Sequence, residues 1–370
     1  MDQLTFHHTL GEGSYSTVFY ATAKPDNPFN STHFAVKVID KIHIVRHNKA
    51  KYAGIEKNSL LALSDHPCIV KLYATFQDKS SLYFLLEYCA KDTLLSHLIP
   101  LQTLCPFKSI PIIYAQLVDA VEFIHSKNII HRDLKPENVL VTQDLQLRVS
   151  DFGSAKILNP DAASSDVASF VGTAEYTSPE LLNSRRTCPK SDIWALGCIL
   201  FQLTFGRTPF RSKSEYWTFK KITNGNILFP EIDPTLLSPE SIQSVTNVTC
   251  DIQNLVMYCL KADADERYDC TQIRSHRYLE QVAWDSIRSA YFIFEKGHSY
   301  IFDELADEAF IQENLSKIKL DSKDESESDE ESIISQEIPP SPPKLSTSHD
   351  RLTPDGEKKM GLLSKLKGLF

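Results

Sequence analysis

The chain holds 370 residues, 42% of them hydrophobic and 10% aromatic, and 48 acidic against 39 basic side chains give it a formal charge of −9. That is apolar material enough for one large domain or two lobes, and the acidic balance removes any general electrostatic drive toward nucleic acid, so no nucleic-acid partner is expected. Its eight cysteines form no Cys-x-x-Cys pair and no apolar run reaches bilayer length, so neither a zinc ribbon, a disulfide framework nor a membrane span is expected.

Met1 to Thr9 carries His and Asp rather than a basic segment followed by an apolar run, and the expected location is cytoplasmic. Three Asn-x-Ser/Thr tripeptides, at Asn30, Asn247 and Asn314, read as chance without a secretory context. From Leu4 to about Tyr88 the apolar residues fall in short β-branched and aromatic runs: Ser16 to Ala23, Phe34 to Asp40, Cys68 to Phe76 and Leu82 to Tyr88. These predict a small twisted sheet. Ala53, Glu56, Leu60 and Leu63 are spaced as one helix between the strands. Beyond Leu94 the period becomes helical, as in Ile112 to Ser126, Lys190 to Phe205 and Asp251 to Lys261, so a second, α-rich lobe follows.

After Trp284 the composition changes. Residues 286–320 are expected to add helical turns, whereas Asp321 to Glu331 holds seven acids and one Lys among serines and predicts disorder. Four prolines between Pro339 and Pro343 extend that linker to about residue 355. The remainder, 356–370, is basic and apolar together. In a helix Leu362, Leu363, Leu366, Leu369 and Phe370 share one face flanked by lysines, which suits either an anionic membrane surface or an apolar groove of the lobes.

Chemistry is carried by a series of segments in order. Gly11, Gly13 and Ser14 lie in Gly-Glu-Gly-Ser-Tyr-Ser-Thr-Val between two strand-like runs, where backbone N–H groups can approach phosphate oxygens. Alone this is a weak signal, and Ser16 stands where a third glycine is usual. Phe34-Ala35-Val36-Lys37 then puts one ammonium on a strand, and Glu56 on the following helix is placed to pair with it. His131-Arg132-Asp133-Leu134-Lys135-Pro136-Glu137-Asn138 packs a carboxylate, a lysine and an amide into one turn. Asp133 is the candidate proton acceptor, Lys135 the γ-phosphate cation and Asn138 a metal ligand. Asp151-Phe152-Gly153 supplies the second Mg²⁺ ligand, Asp151, at the end of a strand-like run. Phosphoryl transfer needs this convergence of one lysine, two metal ligands and one base, because positioning and charge neutralisation carry its barrier.

Together these motifs resemble the protein kinases. The longer stretches, Asp65-His66-Pro67, Lys71 to Asp78, Ser169 to Leu182 and Trp194 to Ile199, are similar to the 3-phosphoinositide-dependent kinases of the AGC group. The resemblance covers Leu4 to Trp284. It implies an α+β, bilobal fold: a small antiparallel β-sheet N-lobe with one helix over residues 1–88, and a hinge with a larger α-helical C-lobe over 89–285. It implies ATP as the bound nucleotide, with Leu10, Val18, Ala35, Leu86, Glu87, Cys89, Leu140 and Ser150 joining the glycines and Lys37 around it. It also implies a Ser/Thr protein kinase acting on the activation loops of other AGC kinases.

Ser169 matches the family's autophosphorylated activation-loop serine, with Arg132 and Lys156 placed to receive its phosphate; Ile55 replaces an arginine that normally helps. Glu180 is expected to pair with Arg267, and Asp192 and Trp194 to lie in the helix that supports the catalytic loop. A docking groove for client hydrophobic motifs is implied at Lys41, Ile44, Val45, Ala50, Ala53 and Leu82, with Lys57, Thr75 and Gln77 as its phosphate pocket. Lys57 stands for the more usual arginine, and a further lysine of that pocket would precede Met1. Residues after Trp284 are too few for the family's pleckstrin homology domain and contain no client-type hydrophobic motif, which favours an upstream kinase. Two rival readings are another AGC kinase with a truncated tail and a pseudokinase scaffold; the latter must lack a catalytic group, and none is missing.

Overall fold

The structure is a computed structural model that describes residues 4–321 except 26, 30, 104, 159–173, 234 and 236, with only the backbone of 304, 307 and 316–321. Ser169, the Gly172-Thr173 pair, the acidic linker beyond 321 and the basic tail lie outside the described residues.

Five antiparallel strands, β1 (Leu4–Glu12), β2 (Ser16–Ala23), β3 (His33–Asp40), β4 (Leu72–Gln77) and β5 (Ser81–Glu87), form the N-terminal sheet in the order β1-β2-β3-β5-β4. Alternation along β3 sends Phe34 and Val36 to one face, where they pack with Ala21, Tyr83 and Leu85. Ile39 goes to the other face and joins the main core. The predicted single helix is two: α1 (Lys41–Arg46) and α2 (Ala50–Ala62). The break has a local cause. Asn48 takes a left-handed φ of 54°, which no α-helix continues through, and Asn is among the few residues that adopt it cheaply.

The larger lobe is helical. Its described elements include α3 (Leu94–Leu101), α4 (Ser109–Ser126), α5 (Pro179–Ser184), α6 (Pro189–Phe205), α7 (Glu215–Asn224), α8 (Pro239–Cys259) and α9 (Cys270–Arg274). Short strand pairs complete it: β6 (Ile129–Ile130) with β9 (Lys156–Ile157), and β7 (Val139–Val141) with β8 (Leu147–Val149). Most of α6 is buried, as expected of a helix that is apolar all round. Its closest neighbour dictates one residue: a Cβ at Gly197 would stand 2.8 Å from both Cys259 Cβ and Leu260 Cδ2. Gly206, at φ 84°, ends the helix where a Cβ would meet Gln102 O at 3.0 Å.

The lobes are joined by both chain and side chains. Val70 N donates to Val149 O and Val149 N to Cys68 O, at 3.0 and 2.8 Å. Arg148 Nε, on β8, meets both oxygens of Glu87, at the end of β5, at 2.9 and 3.0 Å. Asp119, buried on α4, accepts from His66 Nε2 and Arg288 Nε, each at 2.8 Å. Burial opposes its ionisation, but the hydrogen bonds from His66 and Arg288 hold the carboxyl well below its ordinary range.

Residues 284–321 add the expected turns and more. A 3₁₀ segment, Trp284–Ser289, precedes β11 (Tyr300–Ile301), which pairs antiparallel with β10 (Glu231–Ile232). The helix α10 (Glu304–Asp321) then lies against α7: Phe310 meets Trp217 edge-on, and Lys213 pairs with Glu308 at 2.6 Å. Among the described residues no helix is long and apolar enough to cross a membrane.

The expected Glu180–Arg267 pair forms with bidentate geometry at 2.9 and 2.7 Å. Arg267, almost wholly buried, also donates to the Lys261, Lys190 and Ala262 carbonyls and lies 4.9 Å from the Trp194 ring. Removing one partner of such a pair strands a desolvated charge. Arg267→Ala is expected to lower the unfolding free energy by about 3–5 kcal/mol, read from urea denaturation; a loss below about 1 kcal/mol would show the pair to be dispensable.

Candidate active site

Lys37 lies mid-strand on β3, opposite Val18 of β2 and Phe84 of β5. Its position in the pleat turns the side chain toward α2 rather than the outer face. There Nζ meets Glu56 Oε1 at 2.6 Å and Asp151 Oδ1 at 3.3 Å. Burial alone would depress the Lys37 ammonium, but the Asp151 and Glu56 carboxylates outweigh it and raise its pKa. Asp151 is lowered chiefly by Lys37. Glu56 is raised by burial despite the lysine, as befits the most enclosed member of the three. One fixed cation thus stands between a buried carboxylate and one that is half exposed toward the cleft.

Asp151 holds a left-handed backbone, φ 56° and ψ 68°, and Phe152 behind it is fully buried. The Phe152 ring packs edge-on against His131 at 4.8 Å, which ties the Asp151 turn to the His131–Asn138 loop. At Gly153 a Cβ would meet Asp151 Oδ1 at 3.3 Å and Glu56 Oε2 at 3.6 Å, so the small residue keeps those carboxylates close.

The catalytic loop is fixed from beneath. Asp192, buried on α6, accepts from the His131 and Arg132 amides at 2.9 Å each and from His125 Nε2 at 2.8 Å. Burial works against the charge, but these donors hold Asp192 below the ordinary carboxylate range. Two backbone amides anchored on one carboxylate leave the loop little freedom, and Arg132 accepts a left-handed φ of 69° within it. Asp133 then lies beside Lys135, Oδ2 to Nζ 3.0 Å. Asn138 Nδ2 donates to Asp133 O and Oδ2 at 2.7 and 3.0 Å, which directs the amide nitrogen inward and leaves the amide oxygen as the atom that could meet a cation. Ser150 closes the arrangement, its N and Oγ both on Asn138 O.

The donor set fits Mg²⁺ and a nucleotide triphosphate: a carboxylate and an amide oxygen for a hard cation, and one buried ammonium for phosphate oxygens. Gly11 leaves room as well, since a Cβ there would meet nothing within 4 Å. Leu10, Gly11 and Val18 sit on β1 and β2, Ala35 and Leu86 pair across β3 and β5, and Leu140 lies on β7, linked by a bridge to Thr93. Two expected nucleotide contacts are refined. The Glu87 carboxylate is engaged by Arg148, so its side chain joins the lobes. Burial pushes the Cys89 thiol up to about 12, which makes it an inert apolar wall.

The remaining expected residues take these settings, with Ser169, the expected partner of Arg132 and Lys156, outside the described residues. Arg132 directs Nε to the Ser154 carbonyl and a terminal nitrogen to Ala155 O, so its guanidinium braces the segment after Asp151. Lys156 lies on β9 opposite Ile130. Ile44, on the inner side of α1, and Leu82, on β5, are enclosed in the core rather than lining an open groove, because α1 packs on β3 and α2 on β4. Lys41 is buried with its ammonium on Gln77 Oε1 at 2.7 Å, which joins two residues expected to face a client. Thr75 sits mid-β4, and Val45 and Lys57 are half-buried. Sequence reading missed Asp119 as a junction; its only trace was an acid between Val118 and Ala120 on an apolar helix.

Comparison with known proteins agrees with this geometry. The protein kinase domain family matches residues 4–279. The chain is 38% identical over 296 residues to human 3-phosphoinositide-dependent protein kinase 1, covering 77% of this chain and 49% of the relative. It is 42% identical over 300 residues to Serine/threonine-protein kinase PKH3 of Saccharomyces cerevisiae, covering 76% and 32%. Against Serine/threonine-protein kinase ksg1 of Schizosaccharomyces pombe it is 39% identical over 297 residues, covering 76% and 46%. The chain therefore spans about half the length, or less, of these relatives. On the matched span and the assembled site, it belongs to the protein kinase domain family, among the relatives of the 3-phosphoinositide-dependent kinases.

Proposed function

We propose that this chain is a Ser/Thr protein kinase that transfers the γ-phosphoryl group of ATP to activation loops of other AGC kinases. The observation that carries the reading is the buried Lys37 ammonium held at once by Glu56 and Asp151, with Asp133 and Lys135 joined in the loop beneath. Mg²⁺ held by Asp151 and Asn138 would supply neutralisation of the phosphate charge. Lys37 would hold the α- and β-phosphates, Asp133 would accept the proton of the substrate hydroxyl, and Lys135 would balance charge on the transferred group. All of these groups are present, which disfavours a scaffold without activity. A cytoplasmic location fits ATP, reduced cysteines and kinase clients.

The test is a steady-state assay of the full chain with ATP, Mg²⁺ and a panel of activation-loop peptides. Transfer is expected on Ser/Thr peptides, not Tyr peptides, and only with Mg²⁺. Asp133→Asn and Lys37→Met are each expected to lower kcat by at least about 100-fold without unfolding the protein. A folded parent chain with no transfer would overturn the reading. Ser169 is expected to carry phosphate in the parent and to lack it in bacterially expressed Asp133→Asn; equal modification would make it the work of another kinase.

Clients are proposed to dock by a hydrophobic motif beside α2, where Val45 and Ala50 are half-buried at the surface. Because Leu82 is part of the core, Val45→Glu is the cleaner probe. It should weaken binding of a hydrophobic-motif peptide at least about tenfold by calorimetry, and unchanged affinity would place the peptide elsewhere.

The tail at 357–370 is proposed to meet an anionic membrane surface, with lysines flanking a leucine stripe. Full-length protein should float with phosphatidylserine vesicles at low salt, and a chain ending at Asp355 should not. Equal behaviour of the two would remove the membrane contact.

A further inference from the structure

The turn that joins β1 to β2 is expected to lie over the phosphates, yet little within it holds it in place. Residues 11–14 are exposed, and Gly13 N to Ser16 O at 2.8 Å closes the turn. Tyr15 is different. It is half-buried, and its ring leaves the hairpin to meet the corner between α1 and α2. The His43 ring stands 5.2 Å away at an interplanar angle of 68°, and His47 stands 5.9 Å away. The two histidines stack on each other at 4.6 Å and 29°. Lys49 Nζ lies 5.9 Å from the Tyr15 centroid and 4.7 Å from that of Tyr52.

This seat is firm. Asp40 Oδ1 accepts from His43 N at 2.7 Å and starts α1, and Lys49 N returns to Ile44 O at 2.7 Å across the left-handed Asn48. Among the described residues His43 Nε2 is enclosed with no hydrogen-bond partner, so the ring acts through its face and edge. The same corner leads into α2, which carries Glu56.

We propose that Tyr15 is a positioning residue for phosphoryl transfer, seated on the His43–His47 stack, which references the hairpin tip to the body that also fixes Lys37 through Glu56. This rests on the kinase reading above. Without the anchor the hairpin samples positions away from the phosphates, and nucleotide binding bears the cost.

The experiment uses the full chain with ATP titrated at saturating peptide and Mg²⁺, the parent being assayed first. An inactive, folded parent would sink the kinase reading itself. With an active parent, Tyr15→Ala is expected to raise KM for ATP about three- to tenfold, the range of an aromatic pair, with kcat within about twofold. Tyr15→Phe is expected to restore the parent KM. Replacing both His43 and His47 by Ala should raise KM by a similar factor and add little to Tyr15→Ala, because the variants remove one shared contact. An unchanged KM in Tyr15→Ala, a fall in kcat alone, failure of Phe to rescue, or independent effects of the ring and its seat would each overturn the proposal.

Discussion

The Lys37 ammonium is the point on which the rest of the molecule is organised. A cation taken out of water is costly unless its charge is answered at close range, and Glu56 and Asp151 answer it at 2.6 and 3.3 Å. Those three groups come from β3, from α2 and from the turn after β8, so satisfying one charge sets the position of the N-terminal sheet, its helix and the larger lobe together. The electrostatics are unequal by design of the surroundings. Glu56 is enclosed and has one partner that matters, whereas the Asp151 carboxylate keeps an oxygen toward the cleft.

Beneath it, α6 plays the corresponding part for the catalytic loop. Asp192 satisfies two loop amides and His125, and Trp194 two residues later lies against Arg267, which in turn holds Glu180 at the start of α5. Catalytic loop and substrate-side segment are therefore referenced to one buried helix. Gly197 lets that helix approach α8 to van der Waals contact, so the support is itself packed without slack.

Much of this was legible before any coordinates. Short β-branched and aromatic runs located β2, β3 and β5 within a residue or two, and the motif spacings brought Lys37, Glu56, Asp133, Asn138 and Asp151 to one place. What periodicity could not supply was the α1–α2 break, because a left-handed asparagine leaves no mark on an apolar pattern. Cys68 to Phe76 read as one strand, yet β4 begins at Leu72, because residues 68–70 bond instead to Val149. The intended groove residues Ile44 and Leu82 were recognised as apolar, but how deeply helices would cover them depends on packing in three dimensions. Likewise Arg132, Lys41 and Glu87 have side chains that several partners could claim, and only the fold decides among them.

The segment after residue 279 separates two notions of a domain that are often treated as one. The family match ends there, yet Arg288 completes the Asp119 junction, Phe292 is buried, β11 supplies the partner of β10, and Phe302 lies 3.4 Å beneath the Arg207 guanidinium. The unit that homology delimits is shorter than the unit that folds. A polypeptide cut at the boundary of the family match would expose the base of α4 and one flank of α7 to water, so the packed unit runs on at least to Phe310 of α10.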